Sequence, residues 1–136
     1  MGRITRNLNI SGSRGKTLIK SALFDGGASH SFIRMDTCTA IGDLIPFKDE
    51  HGKKVTKPIT LADGETRLLA IGTCTFDTKV NDIDIRDEAW VVEKLGQELI
   101  IGADTLQRYG IQLEYAEKEA GGGKIVTEAR DEIAWL

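Results

Sequence analysis

Polar and apolar residues alternate one by one along most of this chain, and that period of two constrains the fold more than any other feature. Ile111-Gln-Leu113-Glu-Tyr115 puts apolar side chains on one face of an extended segment and polar ones on the other. Thr73-Cys74-Thr75-Phe76 and Asp82-Ile83-Asp84-Ile85-Arg86 do the same, β-branched residues are frequent, and Gly or Asp-Gly steps separate the runs. The pattern predicts strands over 3–10, 17–24, 31–33, 57–62, 65–71, 73–80, 83–86, 88–92, 98–101, 111–115 and 124–128, with 133–136 as a further candidate. Helical signals are few. Residues 34–41 read as a short helix ahead of Gly42. Asp104-Thr-Leu-Gln107 fits a capping box, with Asp104 as N-cap and the helix stopping at Gly110. Gly121-Gly122-Gly123 reads as a flexible joint. Many short strands in 136 residues without an internal repeat predict an all-β fold, a closed β-barrel in a single domain over 1–136.

Composition narrows the partners. At 40% hydrophobic residues, a domain of this size can bury a core without disulfides or metal. A net charge of −3 does not suit nucleic acid, whose phosphates call for a basic face. No apolar run approaches the roughly 18–20 residues of a bilayer span. The opening MGRITRNLNI has no apolar signal core and, with Arg6 in place, no myristoylation motif. These features predict a cytoplasmic protein with no nucleic-acid or membrane partner. Cys38 and Cys74 lie outside any CxxC and read as buried small apolar residues.

Several motifs fail on inspection. SGSRGKT, residues 11–17, has the wrong glycine spacing for a phosphate loop and leads into a strand, so it reads as a hairpin turn. In NDIDIRDE, residues 81–88, acids alternate with isoleucines, which predicts acids on the solvent face of a strand and no calcium loop. His30 and His51 have no ligand-spaced partners, so no metal and no other cofactor is expected. No Gly-x-Ser-x-Gly elbow is present.

One stretch resists a bland account. ALFDGGASHSF, residues 22–32, ends an apolar strand on Asp25 and follows it with Gly26 and Gly27. A turn residue is the simplest reading, because Asp-Gly opens many turns. The other reading is chemical. Two carboxylates about 3 Å apart at an effective dielectric near 20 repel by about 5 kcal/mol, on the order of four pKa units. One then stays protonated while the other ionises, a poised pair that titrates as a unit. Glycines beside the acid allow two main chains to approach that closely. The chain has no second apolar-apolar-Asp-x-Gly segment, and the rival Asp104 in IIGADTL reads as a helix cap. A dyad therefore needs two copies of the chain about a two-fold axis.

ALFDGGASHSFI resembles the active-site segment of the retropepsin-like aspartic proteases: two apolar residues, Asp, Thr or Ser, Gly, Ala, then Ser or Thr. ELIIGADTLQRYGIQLEY, residues 98–115, is similar to the family's apolar-apolar-Gly-x-Asp-x-Leu segment and the strand after it. PITLADGETRLLAIG, residues 58–72, resembles the flap hairpin with its Ala-Asp-Gly or Ala-Asn-Gly tip. The three occur in the family's order within roughly 17–115, closest to the cellular, retrotransposon-like members. The resemblance implies a single-lobe barrel subunit with a flap and one short helix in its C-terminal half. It implies a homodimer that cleaves peptide or protein substrates without metal.

In that frame Asp25 would be the catalytic acid, and Gly27 and Ala28 would lie beside the substrate backbone. Ala62, Asp63 and Gly64 would form the flap tip. Gly102 and Asp104 would belong to the turn and helix that support the active-site loop. Residues 116–136 would be a C-terminal extension with a candidate dimer-interface strand. Gly26 departs from the pattern. The family's Thr or Ser there bonds across the dimer, and glycine has no hydroxyl to do so, which implies weaker dimerisation or slower catalysis. An alternative reading is thus a catalytically silent dimeric barrel that binds extended peptides. A third is a self-processing fragment that cuts near its own termini. Trp90, Val91 and Val92 form an apolar run that lines the cleft or fills the core, and Ser29 and Ser31 read as satisfying nearby backbone.

Overall fold

The computed structural model describes residues 3–60, 64–65, 67–116 and 118–127. Alternating segments near the N-terminus form β1 (Ile4–Ser11) and β2 (Lys16–Phe24), joined by the tight turn that replaces the apparent phosphate loop. β3 (Phe32–Arg34) runs directly into α1 (Met35–Ile41). After β4 (Ile45–Pro46) and β5 (Lys57–Thr60), the long β6 (Arg67–Val80) and β7 (Ile83–Val92) pair antiparallel. β8 (Leu99–Ile101) leads into α2 (Ala103–Arg108), and β9 (Gln112–Tyr115) pairs with β10 (Gly123–Val126) as a separate hairpin.

The strand order β1-β2-β8-β3-β7-β6 closes on itself because β6 also pairs with β1, at Ile10↔Thr78 and Ser11↔Asp77. A closed ring leaves no sheet edge among these six strands. β4 and β5 add to β6 outside the ring. Inside it lies the main core, with Ile4, Ile19, Phe24, Ile33, Phe76, Ile85, Val91, Leu99 and Ile101 buried. The alternate residues Leu23, Phe32, Val92 and Ile100 point the other way and form a second buried cluster with Ala70. Both faces of these short strands are therefore covered, which is why they read as unbroken apolar runs. No helix among the described residues is long and apolar enough to cross a membrane.

Four expectations change. Residues 67–71 and 73–80, from the predicted segments 65–71 and 73–80, are one strand, since Gly72 marks a register shift rather than a break. It lies where the backbone of β4 passes over β6: a Cβ there would meet the Ile45 carbonyl and come within 2.7 Å of Leu44 Cδ1. Segments 83–86 and 88–92 likewise join as β7. Gly121, Gly122 and Gly123 form a defined turn with φ of 75°, 85° and 149°, not a flexible joint. That turn is held to β1 by Arg6, whose guanidinium donates to the Gly121 and Gly123 carbonyls at 3.3 and 2.6 Å. Asp87 is buried, not on the solvent face: it shares the inward side of β7 with Ile85 and Ala89. The candidate strand 133–136 lies outside the described residues.

Cys38 and Cys74 are free and buried in the main core, as their sequence context predicts. Their mutual hydrogen bond, together with burial, pushes the Cys74 thiol up. On the surface, hydrogen bonds from Arg34 and Arg86 hold the Asp36 and Asp77 carboxyls below the usual range. A depressed folded-state pKa adds stability above the unfolded value, about 4, and that contribution is lost as pH falls through the folded one. Unfolding midpoints are therefore expected to hold from pH 7 to about 5 and to decline below about 4, with Asp77→Asn removing part of the decline. The step is small because both pairs are solvent-exposed.

Candidate active site

β2 and β8 run parallel and end side by side, with Leu23 opposite Ile100 and Phe24 opposite Ile101. The next residues are Asp25 and Gly102, so the two sequence segments singled out above meet at one place. The Asp25 N–H donates to the Ile101 carbonyl at 2.9 Å, which continues the ladder one residue past the strand. The chain then turns tightly: the Ala28 N–H returns to the Asp25 carbonyl at 3.2 Å, and the Gly27 N–H donates to Asp25 Oδ1 at 2.8 Å. A Cβ at Gly27 would sit 3.2 Å from that same Oδ1. Glycine therefore keeps the carboxylate face open. At Gly26, which is exposed, an added Cβ would meet nothing within 4 Å.

The loop rests on α2. An α-helix leaves its first N–H groups without intrahelical partners. Here the Ala103 N–H donates to the Ala28 carbonyl at 2.6 Å and the Asp104 N–H to the Ser29 carbonyl at 3.1 Å. Loop carbonyls thus cap the helix, and this corrects the capping-box expectation. Gly102 is the N-cap and Asp104 lies in the first turn, with its carboxylate 3.4 Å from His30 Nδ1. Gly102 cannot carry a side chain without meeting the His30 carbonyl, and a Cβ would also come within 2.9 Å of the Ala28 oxygen. The helix ends at Arg108 with Tyr109 as its C-cap, and Gly110, φ 65°, follows just past it.

Asp25, Gly27, Ala28 and Ser29 line one side of a cleft of about 560 Å³. Leu23, Phe32, Ile59, Leu95 and Ile100 supply its apolar wall, and Arg3, Thr60 and Gln97 its polar rim. Ile59 belongs to the hairpin of β5 and the start of β6, which pairs Thr60 with Arg67. Gly64, exposed with φ 76°, lies in its connection, whereas Ala62 and Asp63 lie outside the described residues. The run Trp90-Val91-Val92 divides: Val91 enters the main core, Val92 the second cluster, and Trp90 stacks on His30 at 4.2 Å. Phe47 meets Trp90 edge-on at 5.2 Å, and Lys57 Nζ lies 4.3 Å from the Phe47 ring centre. A slightly larger hollow, about 580 Å³, lies beside the Arg86–Asp77 pair. Its lining includes Asn9, Ser11, Asp84, Ile85 and Tyr109 but none of the Asp25 loop.

A second set of polar residues sits beneath the loop and escapes a search for exposed chemistry. Ser31 Oγ donates to Asp87 Oδ2 at 2.6 Å, and Thr105 Oγ1 donates to the same oxygen at 2.8 Å. The Gly102 N–H donates to Ser31 Oγ at 3.0 Å, so Ser31 does satisfy backbone as expected. The signal for Asp87 was its parity, since it falls in step with Ile83 and Ile85 rather than with Asp82 and Asp84.

The closed six-stranded ring, with the Asp25 loop at the ends of two parallel strands, is a retropepsin-like fold. The family profile described as Ty3 transposon peptidase matches residues 7–119. The chain belongs to that family. Among solved structures it is similar to the retroviral protease-like domain of Ddi1 from Leishmania major, at 19% identity and a TM-score of 0.56, over 82% of each chain. It is also similar to EIAV protease in complex with the inhibitor HBY-793, at 18% identity and a TM-score of 0.58, over 82% of this chain and 92% of that one. No curated protein matches it.

Proposed function

We propose that this protein is a homodimeric aspartic endopeptidase in which Asp25 of each copy shares one site. The observation that carries the reading is the position of Asp25, which opens onto an apolar cleft beside Gly26 and Gly27, the second lacking a Cβ that would crowd its carboxylate. Its Oδ1 is held by a loop N–H, and the chain holds no second loop of this kind.

In the dimer one carboxylate takes a proton from a water held between the pair while the other, protonated, hydrogen-bonds the substrate carbonyl oxygen. The water oxygen attacks the carbonyl carbon. Collapse of the tetrahedral intermediate breaks the C–N bond, and the dyad delivers the proton to the leaving nitrogen. The substrate lies extended along the cleft, with the hairpin around Ala62, Asp63 and Gly64 closing over it as a flap. Gly27 and Ala28 flank its backbone. Gly102 and Asp104 hold the loop from beneath. Chemistry of this kind uses no metal or other cofactor, and the reading is of a cytoplasmic enzyme acting on protein chains.

An unbiased peptide mixture, incubated with the purified protein from about pH 4 to 7 to bracket a coupled pair and read by mass spectrometry, tests the assignment. Discrete cuts support it. Their absence at concentrations where sedimentation shows a dimer removes it.

One observation favours the alternative, a silent peptide-binding dimer: Gly26 offers no hydroxyl to a partner loop. The space around it makes the test clean. A Cβ at Gly26 meets nothing within 4 Å and the residue is exposed, so Gly26→Thr is expected to fold. Two restored hydrogen bonds at about 1 kcal/mol each strengthen the dimer by roughly tenfold or more. Sedimentation equilibrium and cleavage rate at fixed concentration check this. Activity that appears only in the threonine variant identifies the wild type as the silent form.

A further inference from the structure

We propose that Asp87 is a positioning residue for the catalytic loop, a role that rests on the protease reading. Three observations converge. Ser31, Asp87 and Thr105 are 3%, 4% and 2% exposed, so water does not serve them. They come from three separate elements: the end of the Asp25 loop, the inward face of β7, and the first turn of α2. One oxygen, Asp87 Oδ2, takes both hydroxyls, at 2.6 and 2.8 Å.

The chemistry of the donors orders this cluster. An ionised carboxylate only accepts. Each hydroxyl has one proton, and both protons point at Asp87. The 3.2 Å approach of Ser31 Oγ to Thr105 Oγ1 then carries no proton of its own. Ser31 is left with lone pairs, and the Gly102 N–H donates to one of them at 3.0 Å. The result is a single directional arrangement in which Gly102 donates to Ser31, and both Ser31 and Thr105 donate to Asp87. Gly102 is the N-cap of the helix whose next two N–H groups hold the Ala28 and Ser29 carbonyls. The Ser31 carbonyl is in turn held by the Trp90 N–H at 2.9 Å.

Asp87 thus ties the end of the Asp25 loop, through Ser31, to the supporting helix, through Thr105. The Arg108 guanidinium, 3.6 Å from Oδ1, is the cation that faces it. A buried carboxylate is costly unless it is paired and hydrogen-bonded. An apolar residue of similar size would fill the space and leave the two hydroxyls with only each other to donate to, removing the direction.

The test compares Asp87→Leu, which fills the volume, with Asp87→Asn, whose carbonyl oxygen can still accept both hydroxyls. In the leucine variant kcat is expected to fall about 10²-fold from misplacement of the loop. KM should stay within about twofold, because the apolar cleft wall is untouched. Asp87→Asn is expected to recover most of kcat.

Amide hydrogen exchange at Gly102, Ala103 and Asp104 is expected to quicken in Asp87→Leu beyond any change in global stability, and to return in Asp87→Asn. A leucine variant with unchanged exchange at these amides overturns the proposal. So does a kcat loss that Asp87→Asn shares in full. If the wild type cuts no peptide, the protease reading fails and exchange alone decides: selective quickening supports the positioning role, and its absence overturns it.

Discussion

Asp25→Asn is expected to lose peptide cleavage by at least about 10²–10⁴-fold while remaining folded and dimeric. The separation follows from the local structure. The contact that shapes the Asp25 side chain is the Gly27 N–H donated to Oδ1, and an asparagine carbonyl accepts it equally. Asp25 is only partly buried, so its replacement leaves no orphaned group in the core. In the proposed dimer the wild-type pair shares one proton and carries one negative charge, whereas the asparagine pair is neutral and can hydrogen-bond amide to amide, so the substitution adds no repulsion across the two-fold axis. The dimer should therefore be at least as stable as the wild type. Matched thermal unfolding curves and sedimentation profiles, with cleavage absent, check the prediction. Residual cleavage at the wild-type rate would move the chemistry elsewhere.

Gly102→Ala is expected to damage the fold and the site together. Its Cβ would meet the His30 carbonyl and lie 2.9 Å from the Ala28 oxygen, both backbone atoms. Side chains can change rotamer to make room, whereas the segment that carries these carbonyls is tied to α2 through the Ala28 carbonyl and to β7 through the Ser31 carbonyl and must move as a unit. Overpacking of this kind costs about 1–3 kcal/mol and occasionally more. Here the displaced segment carries the acceptors for the Ala103 and Asp104 N–H groups, so the helix cap loosens as well. We expect a lower denaturation midpoint and loss of cleavage even at temperatures where the variant is folded. Gly26→Ala is the control: with nothing within 4 Å of its Cβ, it should leave the midpoint unchanged.

These two glycines also show what was legible in the sequence. The barrel was visible because strand existence is a local property: alternation, β-branching and Gly breaks mark most runs, and ALF and LII betray strands covered on both faces. Asp25 stood out for the same reason, an acid at the end of such a run with bulk removed beside it. Properties that depend on distant chain were harder to read. Asp104 fits a capping box locally, but the carbonyls of Ala28 and Ser29 cap the helix and shift its start by two residues. Gly72 looks like a strand break, and only the crossing of β4 reveals it as a close approach within a longer strand. Asp87 was grouped with its acidic neighbours by composition although its parity put it inside. Charge outweighed period in that reading, and the buried hydroxyls that satisfy it come from 56 residues before and 18 after.

The central claim is that two copies of Asp25 make one site, and mixing tests it most directly. Wild type and Asp25→Asn protein would be combined at constant total concentration, allowed to exchange subunits, and assayed for peptide cleavage. If each site needs an aspartate from both copies, the rate falls as the square of the wild-type fraction. A rate that falls in simple proportion to that fraction would mean that each chain works alone, and the shared site would be contradicted.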